Sequence, residues 1–437
     1  MFNRTFRLFL AAILWCAILT APLFALPQIG NAPVTRVVLD NGLVIIVEED
    51  HSADIVTTDI FVKAGQVKED QVNTGITYFL QNLLLKGTTT RSADDLVQEM
   101  ESVGGILDVR AGPDASECFA VTTGKHFAKG LDLLADIVKN AKLAPEEVEK
   151  MRQEILKRVE SSKEDSYTTL YQIFLQHFYS LHPYRHPAIG YERTIRKITR
   201  QMILDYYQSY YVPNNMVISV VGNVSAPQAT AEISQRFKDM KSKGFVPVSV
   251  FSEPVSRESQ ELSFYGQNKI AWILWGCAAP GVKSTDFPVM KILDVFLGSG
   301  MSSRVWLELR ERRGLAYQLG SVFPKLMGPS HFLIYIATNQ ENAEECKKAL
   351  IAEIDRFRKK GVSQEELDSA KRTVIGQYLL SAETSRSRAY ESGWAEIYGF
   401  SSAYEQDFLR KVSQVTIEDV KRAAGRYLDT PLILYAR

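Results

Sequence analysis

The sequence predicts an α+β protein made of two similar domains, each a largely antiparallel sheet covered by helices on one face. Three observations carry this. Val/Ile-rich runs closed by turn residues alternate with stretches of helical period. The chain has 437 residues, about twice an ordinary domain. And the second half repeats the first: Leu143-Ala144-Pro145-Glu146-Glu147-Val148 matches Val362-Ser363-Gln364-Glu365-Glu366-Leu367 at an offset of 219, and residues 199–210 match 416–427 at an offset of 217. Sequential hairpin signals favour mixed, mostly antiparallel sheets.

In order, residues 1–25 read as a cleaved secretory signal: Arg4 and Arg7 precede an apolar run that ends in Leu23-Phe24-Ala25. The rival is an uncleaved anchor, because about 19 apolar residues are long enough to span a bilayer. Export to a bacterial periplasm is the expectation, with membrane anchoring as the alternative. Residues 30–242 are the first domain, 243–262 a Pro- and Ser-rich linker, and 263–437 the second domain. The segment 34–49 reads as two strands around Asn41-Gly42, whose tolerance of positive φ suits a type I′ turn. A strand over 54–64 follows, then a helix within 74–90 that ends at Gly87. Ser92 opens the next helix with capping-box spacing and Gly104-Gly105 stops it. A strand pair is expected over 106–123, helices to 140 and from Pro145 to 159, an aromatic-rich helix, a helix over 202–211 and a buried strand over 216–221.

Fifty-one basic residues balance 51 acidic ones, so no net field recommends nucleic acid as a partner. Beyond Cys16 in the leader, Cys118, Cys277 and Cys346 are widely spaced with no CxxC, which excludes a disulfide framework and a cysteine-rich zinc site. His182 and His186 form HxxxH, but Pro183 and Pro187 place them in a loop, and a structural role is expected. The helix within 74–90 carries the candidate site. Ile76, Phe79, Leu80, Leu83 and Leu84 form its apolar face, and Tyr78, Gln81, Asn82 and Leu85 line the neighbouring face. In the second domain, Arg310 lies among Glu308, Glu311, Arg312 and Arg313, which by themselves read as a solvated helix face.

Residues 75–88, GITYFLQNLLLKGT, resemble the G-x-A-H-F-L-E-H-M-L-F-K-G-T motif of the pitrilysin/insulinase zinc metallopeptidases. The likeness continues through Gly104-Gly105, Tyr211-x-Pro213-x-Asn215, Val221-Gly222-Asn223-Val224, LGSGMSSR over 297–304 and LRERRGLAY over 309–317. It spans about residues 34–437 and implies the two-domain half of a peptidase clamp. In that family two histidines bind zinc and an intervening glutamate is the general base. Position by position, Tyr78 and Asn82 replace the histidines and Gln81 the base. A third ligand about 76 residues beyond the second histidine falls on Arg158, and a helper acid falls on Met151. An amide cannot take a proton from water, and a guanidinium is permanently charged. At about 4 Å and an effective dielectric of about 20, Arg158 would repel a divalent cation by roughly 8 kcal/mol. The resemblance thus implies no metal in this chain. Arg158 is expected to stand where the metal would be, donating to the side-chain oxygens of Gln81 or Asn82.

The resemblance also implies substrate-binding roles for Arg310 and Tyr317, an arginine–tyrosine pair at the family's spacing that reaches a substrate carbonyl. Asp108 lies in an expected edge strand where family peptides add as an extra strand, although Asp108-Val109 stands where the family prefers Asn-Ala. Lost zinc ligands beside a retained pair imply a subunit that is not catalytic alone. Its partner would be a zinc-bearing homologue in a heterodimer acting on peptides, with no nucleic acid and no membrane contact beyond the leader. A non-catalytic structural or peptide-binding protein is the alternative.

Overall fold

The computed structural model describes residues 34–244, 258–264 and 270–436. The leader and most of the linker lie outside these residues. The first half opens with strands β1 (Val34–Val38), β2 (Val44–Glu49) and β3 (Val56–Val62), then helices α1 (Ile76–Leu84) and α2 (Ala93–Glu101). Strands β4 (Ile106–Ala111) and β5 (Ser116–Thr122) precede helices α3 (Phe127–Lys139), α4 (Pro145–Ser162), α5 (Ser166–Phe178), α6 (Glu192–Ile195) and α7 (Arg200–Tyr210). Strand β6 (Met216–Gly222) and helix α8 (Ala226–Phe237) complete it. The sheet order is β1-β2-β6-β3-β5-β4, with β2 and β6 parallel and the other pairs antiparallel.

The second half has β7 (Gln260–Phe264), β8 (Ile270–Ala279), α9 (Phe287–Leu297), a π-helix over Trp306–Arg312, β9 (Gln318–Val322) and β10 (Ser330–Asn339). Helices α10 (Ala343–Lys360), α11 (Gln364–Ser381), α12 (Ser385–Ile397), α13 (Tyr404–Gln414) and α14 (Ile417–Tyr427) lead to β11 (Leu432–Ala436). Its sheet runs β7-β11-β8-β10-β9, and only β7 and β11 are parallel. The last residues read as linker, 260–262, belong to β7, because β11 offers them a pairing partner.

The repeat is carried into the fold. Helices α4 and α11 both have 18 residues and begin 219 positions apart, and Thr199 and Thr416 cap α7 and α14 in the same way. Capping by Ser92 and Asp95 starts α2 as the spacing predicts. The first hairpin differs from the expected type I′ turn. Only Gly42 has positive φ, 83°, and Leu39 O accepts from Gly42 N while Leu43 O accepts from Leu39 N. This is the longer loop with a bulged glycine. Asn41 is diverted because its amide donates to Phe237 O at 2.8 Å and its Oδ1 accepts from Leu43 N.

Expectation and structure also part at the second face of each sheet. Both faces are covered, and the second cover comes from the other half. Helix α5 buries Leu170 and Phe174 against Trp272, Leu274 and Leu333 of the second sheet. Its counterpart α12, 219 positions on and also of 13 residues, packs Trp394 into a cluster with Ile46, Phe61 and Val217 of the first sheet. Two glycines admit the close approach. A Cβ at Gly276 would lie 2.3 Å from Phe174, and one at Gly393 would lie 2.3 Å from Phe61.

Under α12 the contact is ionic. Asp59 and Glu117 are buried on β3 and β5, and Arg386 donates to Asp59 Oδ2 at 2.6 Å and to Glu117 Oε1. The guanidinium also lies 3.7 Å from the centre of the Phe119 ring. Burial, and then the neighbouring Glu117 charge, push the Asp59 carboxyl well above the usual range. Arg388 pairs with Glu48 at 3.2 Å and with Asp50, and Arg36 reaches back to Glu396 at 2.9 Å. Arg386→Ala leaves two buried carboxylates without a cation, and its expected cost is about 3–5 kcal/mol of unfolding free energy in a urea titration. On an Asp59→Asn background the same change is expected to cost clearly less, since the stranded charge is gone.

Candidate functional site

Helix α1 has no side-chain cap of its own at Gly75, which takes φ 94°. A Cβ there would meet Gly190 Cα at 2.7 Å, so this corner requires glycine. The cap comes from Glu69, whose buried carboxylate accepts from Gly75 N at 2.8 Å and from Thr77 N at 3.0 Å. A negative group there suits the helix N-terminus. Burial pushes the Glu69 carboxyl up to about 7, and the bonds from Gly75 and Thr77 limit the rise. Ile76, Phe79, Leu80, Leu83 and Leu84 are all buried, so the predicted apolar stripe fixes the helix on the first sheet.

The polar positions separate into two environments. Gln81 points inward and is buried, with its amide donating to Tyr211 Oη and its oxygen accepting from Cys118 Sγ at 3.6 Å. Tyr78 and Asn82, one turn apart on the outer side, face Arg158 of α4. Arg158 Nη1 donates to Tyr78 Oη at 2.6 Å and, at 3.4 Å, to Asn82 Oδ1. Asn82 in turn donates to the backbone oxygen of Tyr78 at 2.7 Å. Of the two amide oxygens expected to meet Arg158, only Asn82's does, and the shorter bond goes to the Tyr78 hydroxyl. Gln81 is out of reach because its place on the helix turns it toward β5. Met151, where a helper acid is expected, is buried in the core.

These residues do not fit zinc. A phenol and an amide held by a permanent cation offer neither neutral imidazole nor carboxylate. Among the described residues no cluster of histidine, cysteine or acidic side chains assembles a metal site. Strand β4 lies beside α1 at the edge of its sheet and, among the described residues, pairs only with β5. Asp108 sits on it half-buried, with Oδ1 accepting from Val109 N at 2.8 Å.

In the second half, the segment read as a solvated helix face is a π-helix over Trp306–Arg312, and Glu308 within it is buried. Glu308 accepts from Arg313 at 2.8 Å, Arg312 at 3.1 Å and Arg356 at 3.4 Å. That charge cluster is therefore a structural clamp, and such wide turns recur at functional sites. Arg310 is exposed, lies 4.5 Å from the centre of the Trp306 ring and donates to the backbone oxygen of Tyr317. Tyr317 is 43% exposed and leads into the edge strand β9. The two predicted residues are thus neighbours.

A polar network between the halves escaped the sequence reading. His331 is buried between Tyr171 Oη and Tyr179 Oη, each at 2.9 Å, and burial pushes it down to about 3. Buried Asp114 accepts from the Tyr184 hydroxyl and from Met327 N. His182 lies in the same loop region, buried, with Nδ1 accepting from Tyr184 N. No spacing announces these partners, since they come from four separate segments. The three described cysteines are free and buried.

With this geometry in place, comparison with known proteins gives a consistent result. The insulinase (peptidase family M16) model matches residues 44–190, and the peptidase M16 inactive domain model matches residues 197–374. The chain belongs to this family. An uncharacterised zinc protease of Mycobacterium tuberculosis is 28% identical over 414 residues, 92% of each chain. One of Bacillus subtilis is 22% identical over 391 residues, covering 90% of this chain and 95% of the relative. A crystal structure of a protease from Helicobacter pylori superposes with a TM-score of 0.88 at 22% identity, over 93% of this chain and 99% of that one. The peptidase M16 inactive domain from Pseudomonas fluorescens gives 0.84 at 20% identity, over 92% and 97%.

Two outcomes are expected. Because the folded pKa of Glu69 lies above its ordinary value, its contribution to stability is fully present at low pH and lost as pH rises through about 7. The Tm of Glu69→Gln should therefore depend less on pH than that of the parent between about pH 5 and pH 8, read by calorimetry. Second, the combination Tyr78→His, Gln81→Glu and Asn82→His should take up no zinc while Arg158 remains. Adding Arg158→Glu should confer binding, read by competition with a chromophoric chelator.

Proposed function

We propose that this chain is the zinc-motif-lacking subunit of a two-subunit metallopeptidase. It pairs with a zinc-bearing homologue and contributes Arg310 and Tyr317 to peptide binding. The observation that carries this is an asymmetry within one molecule. On the zinc side, Arg158 holds Tyr78 and Asn82 where ligands would be, while Arg310 and Tyr317 stand together and exposed on the other half. Packing on Trp306 restrains the Arg310 guanidinium, so donors of fixed direction face solvent where a substrate carbonyl would accept from them. The metal and general base belong to the partner. The unpaired edge of β4, with Asp108, offers backbone groups to an extended peptide. The leader expected at residues 1–25 supports export of this chain, and with it a periplasmic setting for the pair.

A second reading, a peptide-binding protein with no part in proteolysis, is favoured by the same free edge of β4. The two readings separate in one experiment. The purified chain alone should cleave no peptide. Mixed with a zinc-bearing homologue from the same cell, it should form a heterodimer of higher activity than the homologue alone. Arg310→Ala or Tyr317→Phe in this chain should lower kcat of the mixture by about 100-fold without preventing assembly. Full activity of both mixtures would overturn the assigned role.

A further inference from the structure

A second binding site follows from the crossing of α5 to the other sheet. Its Leu170 and Phe174 face the second domain, while on its other side Gln172 donates to Arg185 O at 2.7 Å and Gln176 to Tyr191 Oη at 3.2 Å. Between that side, the end of α4 and the loop 187–196 lies an open groove of about 700 Å³. Its walls are mainly apolar, with Val159, Ile173 and Ile189 among them. A volume of this size falls in the range of ligand-holding clefts. Gly190 on its floor packs against Gly75, so the groove adjoins the corner that starts α1.

The mouth of the groove is cationic. Lys163, Arg193 and Arg196 border it against one acid, Glu192. Glu192 pairs with Arg196 at 2.9 Å and with Lys163 at 3.8 Å, and Lys163 also holds Glu160 at 2.6 Å. Arg193 lies over the Tyr191 ring at 5.1 Å, and no carboxylate among the described residues pairs with it. The field reaches His186 nearby: burial, then the charges of Arg185 and Arg193, push its imidazole below the ordinary value. Thr168 and Gln172 stand along the same wall as the apolar groups; the Gln172 amide N–H donates to Arg185 O at 2.7 Å, which leaves its oxygen and the Thr168 hydroxyl toward the groove. An acyl chain would leave those groups unpaired, whereas a peptide backbone would satisfy them.

We infer that this groove binds an apolar peptide segment that ends in a carboxylate, with the carboxylate at Arg193. The apolar side chains enter between Ile173 and Ile189, and the Gln172 oxygen and the Thr168 hydroxyl accept from peptide N–H groups. This site is separate from Arg310 and Tyr317 and does not depend on the role proposed for them.

The test uses the full chain and a short fluorescein-labelled Leu/Val peptide with a free C-terminal carboxylate, followed by fluorescence anisotropy. Saturable binding is expected, weakened by added salt. Arg193→Glu should weaken it about tenfold, because a like charge then faces the carboxylate. An amidated peptide should lose about as much against the parent chain and little against Arg193→Glu. Ile173→Glu should weaken both forms, and unchanged circular dichroism shows that each variant is folded. The readout is binding to the chain alone and its loss in Ile173→Glu, whereas the peptidase role is read as activity of the mixed complex, so failure here and failure of the peptidase role are distinguishable. Equal binding by the parent and Arg193→Glu would overturn the inference, as would equal affinity of the amidated peptide for the parent. Saturable binding of fluorescein-labelled laurate with no binding of either peptide would also overturn it and assign the groove to acyl chains.

Discussion

Each sheet of this protein has two apolar faces and, from its own half of the chain, helices for only one of them. The fold answers by exchange: α5 covers the second sheet and α12 the first. Neither sheet is then left with a wetted face of Phe61, Val217 or Trp272, and neither half is complete alone. Gly276 and Gly393 bring the exchanged helices close enough for side chains to fill the contact. The ionic part follows from the apolar part. Once α12 lies on β3 and β5, Asp59 and Glu117 are shut away from water, and only Arg386 on that helix can compensate them.

The helix that carries the candidate site is held within the first half. Helix α1 is held by its apolar stripe and by Glu69 at its start, and neither contribution involves the positions of the zinc motif. Gln81 has been absorbed into the core, where Tyr211 and Cys118 satisfy its amide. Tyr78 and Asn82 stay outside, where the exposed end of Arg158 keeps its charge in water at little cost. Ligand residues are therefore replaceable in a way that Phe79 or Leu83 is not.

The second half holds its predicted pair by a different device. Arg310 and Tyr317 are set by a π-helix whose wide turn is anchored by buried Glu308 and three arginines. In that arrangement one buried carboxylate holds three arginines around the turn that carries Arg310. The groove at α5 is a further product of the exchange: a helix that faces away from its own half leaves space behind it.

The sequence by itself determined the α+β class, the duplication, most elements of the first half in their order and the apolar face of α1. These follow from local propensity, from hydrophobic period and from repeated capping residues, all of which act over a few positions. Its resemblance to the family also implied that Tyr78, Gln81, Asn82 and Arg158 stand at the zinc positions, a reading that rests on side-chain identity. Only the tertiary structure decided which of those residues meet. It turned Gln81 inward, gave Arg158 to Tyr78, buried Glu308 and joined Asp114 and His331 to tyrosines of distant segments. It also replaced the expected turn at Asn41 and sent α5 and α12 across to opposite sheets. Those outcomes depend on contacts between residues as far apart as Asp59 and Arg386, and no local pattern encodes which distant surface a helix will cover.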